Sequence, residues 1–371
     1  MKNTFGNSLT MTIFGESHGD EIGVVLDGLA PGIPVSEEQI SQMLTRRRPA
    51  GAISTKRVEA DAFRIVSGVY HGTTTGTPLT ILIPNASQHS DDYEKAERIA
   101  RPGHADYTAF CKYHGYEDYR GGGHFSGRIT AAVVAAGAVV MAALREKKIL
   151  IGTHIAKLGT VSDASFGDWK TDVETLRQMS FPVLSETAGA EMKAQIERAA
   201  ADGDSVGGIL ETVIAGLPAG VGEPFFDSVE GVLAHALFAI PGIKGVQFGD
   251  GFDGVCSHGS EFNDAFRMEN GEVITRTNHN GGINGGITNG MPVLFRCAVK
   301  PTPSIYREQD SIDLKRKENA KLIQNGRHDP AIVHRAAVVV DCMTAVTVYD
   351  MLSSRFGTDY FAGGTNGCNT D

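Results

Sequence analysis

No Cys-x-x-Cys pair occurs in this sequence, and its five cysteines, Cys111, Cys256, Cys297, Cys342 and Cys368, are an odd number without recurrent spacing. A disulfide framework and a zinc site therefore have no support, and reduced thiols are expected. GxxxxGK[ST] and HExxH are also absent, which removes the main arguments for P-loop nucleotide chemistry and zincin chemistry. Met1 to Gly15 holds no apolar signal region followed by a cleavage site, so a cytoplasmic location is expected. The uncharged run Ala131 to Leu144 is shorter than the roughly 18 residues a bilayer requires, so no membrane span is expected. Excess positive charge is missing as well: the formal charge is -10 and the pI about 5.7. That balance argues against nucleic acid or an anionic membrane as a whole-surface partner. Any anionic ligand must be held by local arginines. The single tryptophan, Trp169, lies in a polar stretch, 162–186, to which no function attaches.

Glycine, by contrast, is plentiful: 45 residues without collagen period or low complexity, gathered in loops that also hold histidine and arginine. The densest stretch is Arg120 to Lys148, where RGGGHFSGR leads directly into an alanine- and valine-rich helix. Glycines at a helix N-terminus let the backbone approach an anion closely. This reads as a phosphate-contacting elbow, the alternative being a turn that merely lets a core helix begin. The helix from Ala131 to Leu144 carries no charge on any face and must be buried.

Around this stretch the chain punctuates itself similarly. Met11–Phe14 and Gly23–Leu26 read as strands, with Glu16, Ser17 and His18 in a glycine-bounded turn between them. Ser36 to Arg48 is a helix with Ser36 and Gln39 as a capping box and arginines in its last turn. Leu79–Ile83 is a buried strand preceded by a Gly-Thr-rich hairpin-like turn. Residues 85–122 form a long aromatic-rich loop lying over a site, in which RPGHAD sets Arg101 and His104 around a Pro-Gly turn. Strands are expected at Ile149–Gly159 and Val293–Val299 and a helix at Glu191–Ala201. Residues 249–290 form a second long loop region. Lys300 to Ser304 forms a rigid turn, Asp310–Asn325 a polar helix, and Arg327, His328 and Asp329 stand at the mouth of a strand running from Ala336. GVVLDGLAPGIP at 23–34 and GILETVIAGLPAGVGEP at 208–224 echo one another as strand, Gly-Leu turn and capped helix, which suggests two similar halves.

Seven motifs, FGESHG (14–19), RRRP (46–49), RPGHAD (101–106), RGGG with its helix (from 120), GGINGG (281–286), KPTPS (300–304) and GRHDP (326–330), occur in the order seen in chorismate synthases, which the chain resembles over residues 5 to about 345. The resemblance implies an α+β fold, a β-α-β-α sandwich with pseudo-symmetric halves. It is expected as one domain over 1–371, with active-site loops at about 85–120 and 249–290 and a flexible tail at about 357–371. It also implies a homotetramer, reduced FMN as cofactor, and anti 1,4-elimination of phosphate from 5-enolpyruvylshikimate 3-phosphate to give chorismate. By motif, His18 corresponds to the acid near the leaving phosphate and His104 to the group that protonates reduced flavin. Asp329 corresponds to the carboxylate assisting proton removal. Arg47, Arg48, Arg128 and Arg335 correspond to substrate contacts. His124, Phe125, Ser126, Gly285, Lys300, Pro301, Thr302, Pro303, Ser304 and Arg327 correspond to flavin contacts. The chain departs from the usual RSSARETA after RGGG, having His124 for an arginine, Phe125 for a serine and Ile129 for a glutamate. Ile53 stands near the arginine that contacts nicotinamide phosphate (NADP) in members reducing their own flavin, so a monofunctional enzyme with an external source of reduced flavin is expected.

Overall fold

The computed structural model describes residues 2–49, 53–54, 61–85, 99–324 and 328–363. Two five-stranded sheets, each antiparallel throughout, frame the fold. The first contains β1 (Thr4–Phe5), β2 (Thr10–Phe14), β3 (Glu21–Asp27), β4 (Arg64–Ser67) and β7 (Leu79–Pro84), in the order β1-β2-β3-β7-β4; a ribbon of β5 (Val69–Tyr70) and β6 (Thr73–Thr74) precedes β7. The second contains β8 (Leu150–Leu158), β9 (Val161–Ser162), β10 (Gly208–Ala215), β11 (Ile243–Phe248) and β16 (Val293–Val299), in the order β11-β16-β10-β8-β9. Three more ribbons, β12 (Phe266–Glu269) with β13 (Glu272–Thr275), β14 (Ile283–Asn284) with β15 (Ile287–Thr288), and β17 (Gln309–Asp313) with β18 (Glu318–Leu322), lie outside the sheets. The helices are α1 (Glu37–Arg47), α2 (Asp106–Tyr113), α3 (Thr130–Glu146), α4 (Trp169–Leu176), α5 (Glu186–Ala201), α6 (Val229–Phe238), α7 (Gly259–Phe262) and α8 (Val333–Phe356).

Alternation along the strands assigns the layers. Leu79, Ile81 and Ile83 of β7, and Val293, Phe295, Cys297 and Val299 of β16, are buried while their neighbours are more exposed. Each sheet thus turns one apolar face inward. The space between is filled by α3 against the first sheet, α6 and α8 against the second, and α1 packed on α3 and α8. On the outer face of the second sheet, Val173 of α4 sits against Gly152, adding a fourth layer and completing a β-α-β-α sandwich.

The α3 and α8 helices run parallel. Lys147, at the end of α3, lies 4.7 Å over the ring of Tyr360, just beyond the end of α8. Midway, a Cβ on Gly137 would overlap the Cβ of Cys342, so the helices touch backbone to backbone. Both are long and apolar enough to cross a membrane, yet they are packed inside the fold. Length alone would have been a poor guide: α3 with its preceding turn reaches 20 residues, beyond the uncharged run that suggested a short helix.

The internal echo is real in three dimensions. The middle strand of each sheet, β3 or β10, passes through a positive-φ glycine, Gly28 (+98°) or Gly216 (+84°), into a serine-capped helix. Ser36 Oγ accepts from Gln39 N at 3.2 Å ahead of α1, and Ser228 Oγ from Gly231 N at 3.0 Å ahead of α6.

Three expectations need correction. The strand expected from Ala336 is the interior of α8; the Ala-Ala-Val-Val-Val run mimics a buried strand, but burial continues around the helix as far as Ser353. The polar helix expected over 310–325 is the β17–β18 hairpin. Asp313 Oδ1 accepts from Lys315 N (3.0 Å) and Arg316 N (2.9 Å), and Lys317 takes φ +57°, so side-chain capture of the turn amides overrides helix propensity. The helix expected from Glu191 begins at Glu186, because Ser185 caps it through Ala188 N. Residues 364–371 of the tail, 86–98 of the first long loop and Cys368 lie outside the described residues.

Candidate active site

Both long buried helices begin at the same end of the molecule, so their positive dipole ends converge there. The Arg120–Phe125 loop crosses this end. Gly121, Gly122 and Gly123 take φ values of +58°, +88° and +52°, a run of left-handed conformations that residues with a Cβ rarely adopt. A Cβ on Gly121 would strike the His18 ring, and one on Gly122 would lie 2.9 Å from His104 Cε1. The two imidazoles therefore pack on neighbouring glycines of one loop. Ser17 N donates to Gly123 O (3.1 Å) and His124 Nδ1 to Gly15 O (2.8 Å), binding the FGESHG turn to the same loop. His18 is buried, at 4% exposure.

His104 Nδ1 lies 2.9 Å from Asp106 Oδ1, and Arg101 closes the group with its Nη2 2.7 Å from the same oxygen. Burial would raise the Asp106 carboxyl, but Arg101 and His104 hold it far below the usual carboxylate range. An ionised Asp106 accepting from Nδ1–H fixes the tautomer that presents Nε2 of His104 toward Gly122.

Beside the imidazoles lies a cluster of cations. Arg47, from the last turn of α1, donates to Asp61 Oδ2 at 3.0 Å, and Arg48 Nε stands 3.5 Å from the same oxygen. Arg128, just ahead of α3, donates to Asp61 Oδ1, to Asn85 Oδ1 (3.0 Å, from Nε) and to Pro84 O (3.2 Å). Asn85 in turn donates to Glu16 O and Gly19 O, joining the arginines to the His18 turn. Arg335, in the first turn of α8, donates to Arg47 O at 2.7 Å and pairs with Asp329. All four arginines expected on one ligand are brought together. Arg47 and Arg128 are buried at 2% and 8% exposure, while the Arg48 and Arg335 side chains keep 30% and 15%.

The KPTPS turn closes the other side. Lys300 Nζ donates to Gly103 O, and Pro303 lies within 3.2 Å of a Cβ placed on Gly103, so this turn rests on the one carrying His104. Among the described residues, Thr302 Oγ1 and His328 Nε2 are buried polar atoms without hydrogen-bond partners, which is uncommon unless a ligand completes them. Burial, reinforced by Arg101, lowers the His328 pKa and favours the neutral ring. Lysine, threonine and serine around a rigid turn are a donor set that fits a phosphate monoester such as that of FMN.

Not every expected residue joins. Gly285, at the β14–β15 turn, belongs to the Val293 end of β16, whereas Lys300 follows its Val299 end, so the strand's length of roughly 20 Å separates them. Ser126 Oγ caps Arg128 N at 3.3 Å, and Phe125 is half-exposed with its ring against Tyr113. Arg327 lies outside the described residues. Sequence reasoning missed Asp61, Asn85 and Asp106. Asp106 had a signal, a carboxylate two residues after His104; the other two had none.

Glycine-walled imidazoles beside clustered guanidinia at two helix N-termini define an enzyme-like site for a small polyanion. The comparisons carry this further. The family model described as chorismate synthase matches residues 9–353. A chorismate synthase of Thermococcus gammatolerans is 45% identical over 94% of this chain and 97% of its own. One of Korarchaeum cryptofilum is 43% identical over 93% and 96%, and one of Lachnoclostridium phytofermentans 44% identical over 95% of each. A crystal structure of chorismate synthase superposes with a TM-score of 0.75 at 29% identity, covering 95% of this chain and 94% of the other. The chain belongs to the chorismate synthase family.

Proposed function

We propose that this protein converts 5-enolpyruvylshikimate 3-phosphate to chorismate by anti 1,4-elimination of phosphate and a ring proton, with reduced FMN and no net redox change. The observation that carries the reading is the placement of His18 and His104 on adjacent glycines of one loop, beside Arg47, Arg48, Arg128 and Arg335. A substrate with two carboxylates and a phosphate requires several guanidinia, and two imidazoles can hold and pass protons near neutral pH.

In this reading the arginines bind and orient the substrate anions, and His18 delivers a proton from its ring to the departing phosphate. His104, with Nδ1 fixed by Asp106, holds the proton at Nε2. Asp329, oriented by Arg335, assists removal of the ring proton. Lys300, Pro301, Thr302, Pro303 and Ser304 would hold the FMN phosphate, with His124, Phe125, Ser126 and Arg327 as further contacts. Reduced FMN, when bound there, would supply electron density to the reacting ring with no net redox change. Ile53 in place of an arginine favours an enzyme supplied with reduced flavin from outside, at work in the cytoplasm.

A homotetramer is part of the proposal. Phe225, Phe226, Phe252 and Val255 are 77–94% exposed and are apolar side chains that a subunit contact would cover. Given the separation along β16, a flavin contact from Gly285 would come from a second copy.

The test is anaerobic incubation with FMN, dithionite and 5-enolpyruvylshikimate 3-phosphate, following chorismate and phosphate together, with NADPH replacing dithionite in a parallel arm. Equal amounts of both products with dithionite alone are expected. No product under full reduction would overturn the reading, and product with NADPH alone would overturn its monofunctional form.

A further inference from the structure

We infer that Asp61 is the positioning residue of the substrate site: one buried carboxylate that draws guanidinia from two helices into a single anion-receiving constellation. The inference rests on the functional reading above, and deepens it by naming the group through which the arginines act.

The geometry is specific. Asp61 sends Oδ2 to Arg47 at 3.0 Å and to Arg48 Nε at 3.5 Å, and Oδ1 to Arg128. Arg47 and Arg48 come from the end of α1 and Arg128 from the approach to α3, so the carboxylate bridges guanidinia from separate elements. Its side chain is wholly covered, at 0% exposure. Burial opposes its ionisation, yet Arg47 and Arg128 more than compensate and keep the carboxyl below its ordinary value.

A further feature separates this arrangement from an ordinary ion pair. Asp61 takes φ +45°, a left-handed conformation that L-residues rarely adopt. The strained backbone places the carboxylate where guanidinia from separate elements reach it.

The experiment uses D61N, which removes the charge at constant shape, D61E, which keeps the charge but displaces it by a methylene, and D350N, a similarly buried carboxylate at the far end of α8. Substrate affinity is read by calorimetry, KM and kcat anaerobically with excess reduced FMN, and folding by thermal melting. Expected are a KM and dissociation constant raised at least tenfold in D61N and several-fold in D61E, a kcat changed much less, and unchanged KM in D350N. If D61N does not fold, D61E decides: a carboxylate that only balances charge would leave its KM unaltered. Unchanged affinity in folded D61N or D61E overturns the inference, as does tighter binding, which would make Asp61 a stand-in for the substrate. Wild-type protein that neither binds nor turns over 5-enolpyruvylshikimate 3-phosphate instead overturns the functional reading itself.

Discussion

At the N-terminal end of α8 a buried carboxylate, Asp61, accepts hydrogen bonds from arginine side chains; at the other end Asp350 accepts from the main chain, taking Asn7 N (3.1 Å), Ser8 N (2.7 Å) and Leu9 N (2.8 Å). The same functional group thus does two jobs. Amides fixed in a backbone cannot turn toward a ligand, so Asp350 anchors the entry to β2 and nothing else. Guanidinia on flexible stems can serve a carboxylate and a ligand together, so Asp61 organises a site. What distinguishes a structural charge from a functional one here is the freedom of its partners, since both carboxylates are almost fully buried.

The sharpest way to test that division lies within the site itself. His104→Ala is expected to lower kcat by about 10²–10⁴-fold, the range of general acid–base groups, with melting temperature and flavin affinity nearly unchanged; near-normal turnover would remove His104 from the mechanism. Arg128→Ala should do both kinds of damage. It loses a substrate cation and the bonds to Asn85 and Pro84, so affinity should fall at least tenfold and stability by about 1–3 kcal/mol. Calorimetry and chemical denaturation separate the two losses, and unchanged affinity would assign Arg128 to the framework. At the far end, Asp350→Ala is expected to cost about 2–4 kcal/mol, because three amides lose a charged acceptor, while KM stays at the wild-type value. A raised KM would dissolve the distinction between the two ends.

The smallest effect is expected from a third buried cluster, on the outer face of the second sheet. His154 lies between Asp163 (2.9 Å) and Glu211 (3.1 Å). Burial alone would depress its pKa, but the two carboxylates raise it above the ordinary histidine value. The stabilisation is therefore complete below the unfolded-state value of about 6.5 and is lost as pH rises through the higher folded-state value. Melting temperature should decline over that window in the wild type and lose this component in His154→Gln; identical pH profiles would refute it.

Much of this was readable in advance where chemistry is local. The Ser36 cap, the glycine that ends β3 and the alternation in β7 each depend on a few adjacent residues, and the structure reproduces them. The ordered motifs were legible for the same reason, and they pointed to His18, His104 and the arginines. Reading failed where distant partners decide. Nothing near Asp61 in the sequence announces Arg128, 67 positions later. The β17–β18 hairpin resembled a helix because its polar composition conceals the Asp313 turn, and the hairpin is further held by Ala100, whose N donates to Ile312 O at 3.1 Å. Gly285 followed its motif faithfully, but a motif carries no information about which end of a strand it will occupy.

The contact of Gly137 with Cys342 reaches beyond packing. It acts as a calliper. By letting two helix backbones meet, one missing methyl group sets how far apart the two positive helix ends stand and hence how broad an anion feels both fields at once. The width of the site is thereby gauged about two turns below its floor, by a residue that no ligand touches.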